Sequence, residues 1–241
     1  MRSIGRTDIG RVRPTNQDAF VCGKLSDTMT FAVVCDGMGG AKAGNVASTM
    51  ATKTIVERLA SSYRENVTLT SMRHAIDSAV CAANAVIFDT MKETEQLEGM
   101  GTTVVVAVAQ DNKAIIGHVG DSRAYLIANG EIQQITRDHS VVQEMVESGK
   151  LTQQEANHHP RKHYITRAIG AEFDVECEFD EVDIPEGGAI LLCTDGLTNM
   201  VETSQIQKIL RSYPPDTAAD RLISAANMAG GSDNITVALI Y

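Results

Sequence analysis

The chain has 241 residues, of which 43% are hydrophobic and 22% charged, and a formal net charge of −10. That length provides ample core for one large domain or two small ones. With no Pro-rich, Ser-rich or single-residue tract to mark a linker or disordered arm, one domain spanning residues 1–241 is expected. No basic run is present to grip a phosphate backbone, which argues against a nucleic-acid partner; the acidity suits cation binding, and equally serves plain solubility.

The five cysteines, Cys22, Cys35, Cys81, Cys177 and Cys193, are odd in number and never spaced CxxC. They point to neither a disulfide framework nor a structural zinc site, and Cys35 and Cys193, at the ends of apolar runs, read as small buried hydrophobes. The N-terminus MRSIGRTDIGRVRPTNQD has no apolar signal region. No later stretch approaches the roughly 20 apolar residues of a membrane span. A cytoplasmic protein without membrane contact is expected, and nothing in the sequence demands more than a monomer.

In chain order, residues 31–35 (FAVVC) form an apolar, β-branched run closed by Asp36-Gly37, which predicts a buried strand meeting a turn. Apolar positions at helical spacing predict helices over about 45–59 and 72–91. The runs TTVVVAVAQ, KAIIGHVG and SRAYLI, separated by Asp111-Asn112 and Gly120-Asp121, predict an antiparallel meander. Residues 139–169 differ in character: a short helix (VVQEMVES), a stop at Gly149, a second short helix, then HHPRKH. They read as an excursion from the core. Strands over about 175–182, 189–193 and 235–241 and helices over about 204–212 and 217–228 complete an α+β pattern without regular βαβ alternation.

Four aspartates occupy similar local settings: Asp36 in VVCDGMGG, Asp121 in HVGDSR, Asp195 in LLCTDGL and Asp233 in GGSDNITV. Each lies beside a predicted strand end, with Gly or Ser to let the backbone turn sharply. Singly, each is ordinary turn punctuation. Together, carboxylates converging in one cleft repel one another and raise one another's pKa unless a cation is present. Oxygen donors without Cys or His favour Mg²⁺ or Mn²⁺ over Zn²⁺. A pair of such ions activates water against a phosphoryl group, the chemistry of phosphoester hydrolysis.

The segments RPTNQDAF, VVCDGMGG, GMGTTVVVA, HVGDSRAYL, TRDHSVVQEMVESGKLT, ITRAIG, LLCTDGLTNMV and SDNITV, in this order, resemble the successive motifs of the metal-dependent PPM-type (type 2C) protein serine/threonine phosphatases, in their short bacterial form. The resemblance covers essentially the whole chain. It implies a four-layer αββα sandwich of two antiparallel sheets flanked by helix pairs, with a flap at about 139–169 beside the active site. It implies hydrolysis of phosphoserine and phosphothreonine in proteins by a water or hydroxide bridging two Mn²⁺ or Mg²⁺ ions, opposing a bacterial Ser/Thr kinase. By the same resemblance Asp36 bridges the two core ions, the Gly37 carbonyl sits on one of them, and Asp195 and Asp233 sit on the other. Asp121 completes, with Asp195, a weaker third site; Asp18 holds metal-bound water; Arg13 binds phosphate, for which a guanidinium fork is well shaped.

Met38 departs from relatives that carry a histidine at this position as a proposed general acid, which leaves protonation of the leaving oxygen to a metal-bound water. Ala41 and Lys42 depart from members with His after MGG. His158, His159 and His163 lie in a polar, Pro-containing stretch and read as solvated flap residues, and His118 and His139 as structural hydrogen-bonders. Two other functions use the same residues: a metal-dependent hydrolase of small phosphoesters, and a catalytically silent regulator that only binds phosphoproteins.

Overall fold

The computed structural model describes residues 1–40, 43–65 and 67–241. The departure noted at Ala41 and Lys42 lies outside the described residues. The strands form two antiparallel sheets. One has the order β1 (Ser3–Asp8), β11 (Ile235–Ile240), β10 (Ala189–Cys193), β7 (Arg123–Ala128), β8 (Glu131–Gln134). The other runs β2 (Asp18–Lys24), β3 (Met29–Met38), β5 (Val104–Gln110), β6 (Lys113–Val119), β9 (Glu178–Asp183), and the short β4 (Gly101–Thr102) pairs with β3.

The continuous apolar character of β3 and β5 follows from their burial on both faces, since successive side chains in a strand point to opposite sides. Phe31, Val33, Cys35, Val104, Val106 and Val108 pack against helices α1 (Ala43–Ser62) and α2 (Leu69–Glu93). The alternate residues Ala32, Val34, Val105, Ala107 and Ala109 meet Ala124, Ile190, Leu192, Ala238 and Ile240 of the facing sheet. Beyond that sheet, Leu191, Cys193, Val237 and Leu239 pack on Ile206 of α6 (Thr203–Ser212) and on Ala219, Leu222 and Ala226 of α7 (Pro215–Met228). The three apolar clusters thus lie between α1–α2 and one sheet, between the two sheets, and between the other sheet and α6–α7, within the α+β class expected. Among the described residues no helix is long and apolar enough to cross a membrane.

The structure corrects the expected meander. β5 and β6 pair, but β7 belongs to the other sheet, where it lies between β10 and β8, and the second neighbour of β6 is β9. The chain changes sheets at Gly120, whose φ of +106° suits glycine far better than other residues. The turn expected at Asp36-Gly37 is also absent, because β3 continues to Met38 by pairing with β4. The N-terminal strands β1 and β2, β8, and the short helix α5 (Asp195–Thr198) had no counterpart in the sequence reading.

Residues 139–169 carry the two expected short helices, α3 (Val141–Glu147) and α4 (Gln153–Asn157), separated by Gly149 at φ +70°. The two ends of this segment are pinned by the bridges Ser140–Ile165 and Thr102–Ile169.

One close approach fixes the end of β3. A Cβ on Gly37 would lie 2.1 Å from the Gly44 carbonyl oxygen and 2.5 Å from that of Gln17, and a Cβ on Gly44 would lie 2.6 Å from the Gly37 oxygen. The first turn of α1 therefore presses backbone to backbone against the strand that carries Asp36. Overpacking of this kind costs about 1–3 kcal/mol. Gly44→Ala should lower the thermal midpoint by about 5 °C, given about 2–4 °C per kcal/mol for a chain of this size. It should also reduce turnover at 20 °C, where the variant is still folded, because relief of the clash displaces Gly37; calorimetry paired with an activity assay checks both.

Candidate metal and phosphate centre

All seven residues singled out in the sequence come together at one end of the two sheets. Asp18, the first residue of β2, is the register partner of Asp36 in β3. The backbone of Asp36 is fixed on both sides: its N–H donates to Thr103 Oγ1 (3.0 Å), and its carbonyl accepts from Thr103 N (2.9 Å) and Thr102 Oγ1 (2.9 Å). Asp121 follows Gly120 at the end of β6. Asp195 opens α5, where the Asn199 side chain donates to its Oδ2 at 2.8 Å. Asp233 precedes β11, and its Oδ1 accepts from Asn234 N at 2.8 Å.

Asn234 also ties the N-terminal segment to the site. Its Oδ1 accepts from Gln17 N (2.8 Å), and its Nδ2 donates to the carbonyls of Ile9 and Thr15. That loop holds Arg13, which is half-exposed and donates to Asp233 Oδ2 at 2.7 Å. A cleft of about 420 Å³ is lined by Arg13, Asp36, Gly37, Asp121, Asp195 and Asp233, with Met38, His163 and Ile165 on its walls. Asp18 is buried below its surface. The hydroxyls of Thr194 (2.9 Å) and Thr236 (2.7 Å) both donate to Asp18 Oδ2.

Burial, then the neighbouring Asp18 and Asp195, push the Asp36 carboxyl well above the ordinary carboxylate range. Burial followed by Asp195 and Asp138 does the same to Asp121. Asp18 rises from 3.8 to about 7, mainly through burial, against the two threonine hydrogen bonds that favour its charged form. Asp18 Oδ1 and Asp195 Oδ1 are buried and, among the described residues, have no hydrogen-bond partner. Unsatisfied oxygens in a group of mutually repelling carboxylates are what a hard divalent cation relieves, so this donor set fits Mg²⁺ or Mn²⁺.

A second group of ligand types, His118, His139 and Glu178, lies behind Asp121 with its donor atoms within 4.8 Å of one another. Its hydrogen bonds use it differently. His139 Nδ1 accepts from Gly120 N at 3.1 Å, and burial and the stacked His118 push the His139 pKa down to about 4. The neutral ring therefore carries its proton on Nε2, which faces Glu178 Oε1 at 3.2 Å and has no lone pair for a metal. His118 Nε2 lies 2.8 Å from the Arg137 carbonyl, which can only accept. The structural role expected for both histidines fits this arrangement.

His163 departs from expectation. It is exposed, as a solvated flap residue should be, yet it lines the cleft and its Nδ1 stands 3.7 Å from Asp195 Oδ2. Thr103, Thr194, Thr236 and Asn234 were also missed. All four lie within segments already singled out, Thr103 in GMGTTVVVA, Thr194 in LLCTDGLTNMV, and Asn234 and Thr236 in SDNITV, but no role was read for them there.

The model of the protein phosphatase 2C family matches residues 5–227. The chain belongs to that family. It is 38% identical over 244 residues to the serine/threonine phosphatase stp of Listeria monocytogenes, covering 100% of this chain and 95% of the relative. Among solved structures, the serine/threonine phosphatase Stp1 of Staphylococcus aureus superposes with a TM-score of 0.92 at 31% identity, covering 99% of this chain and 94% of that one. The catalytic domain of the phosphatase PstP, in complex with two manganese ions, gives 0.85 at 34% identity, covering 99% and 96%. The protein phosphatase 2C chain described here is thus a metal-dependent serine/threonine protein phosphatase with an α+β fold.

The raised carboxyls give this phosphatase a pH signature. Between an unfolded value near 3.8 and a folded value near 7, Asp18 binds more protons in the folded state than in the unfolded. Protonation therefore favours folding, and this stability is lost as pH rises through that window. Asp36 and Asp121, shifted in the same direction, add to the loss. In chelator, the thermal midpoint should be higher at pH 6 than at pH 8; saturating Mn²⁺ should raise it at pH 8 and flatten the slope. Melting curves across pH, with and without Mn²⁺, measure this.

Proposed function

We propose that this phosphatase hydrolyses phosphoserine and phosphothreonine in proteins and so opposes a bacterial Ser/Thr kinase, using two core Mn²⁺ or Mg²⁺ ions. Asp36 and the Gly37 carbonyl, with Asp195 and Asp233, hold those ions, and Asp121 with Asp195 holds a weaker third. The observation that carries this reading is the convergence of four carboxylates from separate segments on one cleft, with the buried Oδ1 of Asp195 unpartnered. When bound, the ions neutralise phosphate charge and lower the pKa of water.

The chain's own groups do the rest. Arg13 stands at the cleft mouth with half of its side chain exposed, and its planar fork can leave Asp233 to donate to two phosphate oxygens at once. Asp18, clamped through Oδ2 by two threonines, keeps Oδ1 free to accept from a water under the cleft and so to orient it. Water adds to phosphorus as the bond from phosphorus to the seryl or threonyl oxygen breaks, and that oxygen takes up a proton. Met38, whose thioether has none to give, leaves the proton to water. Residues 139–169 serve as a flap at the cleft wall, contributing His163 and Ile165. Named relatives that are protein phosphatases favour this reading over hydrolysis of free metabolites.

Loss of one preorganised charge-stabilising group costs about 10²–10³ in kcat. Asp36→Asn should lose at least that much activity on p-nitrophenyl phosphate with Mn²⁺, together with the tightest Mn²⁺ binding seen by calorimetry; a variant with intact activity would sink the mechanism. Arg13→Ala should act differently, mainly by raising KM for a phosphothreonine peptide, and steady-state kinetics separate the two. A metabolite hydrolase would instead prefer small phosphoesters to the peptide.

A further inference from the structure

The cleft has a neighbour that the reaction itself does not use. A groove of about 600 Å³ shares Met38 and Ile165 with the catalytic cleft and continues away from it along Arg167, Glu172, Asp174 and Glu176. Its walls near the cleft are apolar, from Met38, Ile165 and Ala168, and its far rim is charged. Among the described residues the one cation on that rim, Arg167, is already committed: its Nη1 lies 3.1 Å from Glu178 and 3.7 Å from Glu176. Glu172 and Asp174 are exposed, and among the described residues neither has a cation within ion-pair distance. Among the described residues the groove thus carries negative charge that no cation pairs, directly beside the catalytic cleft.

A phosphorylated side chain in the cleft brings its own polypeptide across the wall formed by Met38 and Ile165. An extended peptide advances about 3.3 Å per residue, so residues within a few positions of the phosphoresidue reach the groove. A like charge on the substrate would be repelled there and an opposite charge drawn in, with effects on both encounter and binding. We infer that this groove receives the residues flanking the phosphoserine or phosphothreonine, and that it selects phosphoprotein segments with an arginine or lysine near the phosphorylated site. This rests on the phosphoprotein phosphatase reading above and deepens it by naming a substrate class.

The test is a set of phosphothreonine peptides carrying a single Arg, Ala or Glu at each of the three positions on either side of the phosphoresidue. These are assayed with the Mn²⁺-loaded full chain and with its Glu172→Lys/Asp174→Lys variant. For the native chain, Arg at one or more positions should raise kcat/KM about 3- to 10-fold over Ala and Glu should lower it, a spread that shrinks in 0.5 M KCl as screening predicts. The variant should reverse the order at those positions. It should keep native turnover of p-nitrophenyl phosphate, which has no flanking chain to reach the groove, and a native melting profile. Equal rates for all peptides, or the same preference in both proteins, would overturn the inference while leaving the phosphatase reading intact. Failure of p-nitrophenyl phosphate and every peptide alike would instead overturn that reading.

Discussion

Asp36, Asp121, Asp195 and Asp233, with Asp18 behind them, crowd into one partly buried cleft where burial and neighbouring carboxylates raise the cost of ionising Asp18, Asp36 and Asp121, and the rest of the fold is arranged around holding them there. Asp36 is the most constrained. Its N–H and C=O are both taken by Thr102 and Thr103, and the backbone of α1 closes on the next residue, Gly37. A carboxylate so held cannot swing away from its neighbours to lower the repulsion. The strain is placed where a divalent cation, rather than a rearrangement of the chain, removes it.

The two-sheet architecture explains why the carboxylates converge without a long shared loop. Asp36 leads out of one sheet, while Asp195 and Asp233 flank the adjacent strands β10 and β11 of the other. Asp18 belongs to the first sheet, but its Oδ2 is bonded to Thr194 and Thr236 of the second. It is therefore a polar tie between the sheets at the end where the apolar filling of Ala107, Ala124 and Leu192 gives out. A single side chain both registers the sheets against each other and fixes the floor of the cleft.

Much of this was legible in the sequence because it is local. The strand-end aspartates, their glycines, the helix periodicities and the helix-rich excursion all follow from residues within a few positions of one another. What was not legible depends on distant partners. The β7 run looks like the third strand of a meander, since alternation alone does not say which sheet a strand joins; only the pairing of β6 with β9 and the left-handed Gly120 decide it. The threonines that clamp Asp18 lie 176 and 218 residues away from it, inside segments noticed for their aspartates, and only the folded sheets bring their hydroxyls to its carboxylate. His163 is an exposed polar residue in a polar stretch, and its position near Asp195 exists only once the 139–169 segment has folded against the cleft.

The ends of residues 139–169 share their anchorage with Asp121. Gly120 donates through its N–H to His139 Nδ1 and accepts through its carbonyl from His139 N, so the residue before Asp121 is held on both sides by the first residue of the excursion. At the other end, the His139 carbonyl accepts from Thr166 N, and Arg167 reaches the same Glu178 that His139 faces. Next to His139, Asp138 takes a bidentate fork from Arg123, just after the Asp121 turn. The two ends of residues 139–169 and the backbone that presents Asp121 are therefore one hydrogen-bonded block, so the direction of the Asp121 carboxylate and the course of the 139–169 segment are set by the same few bonds.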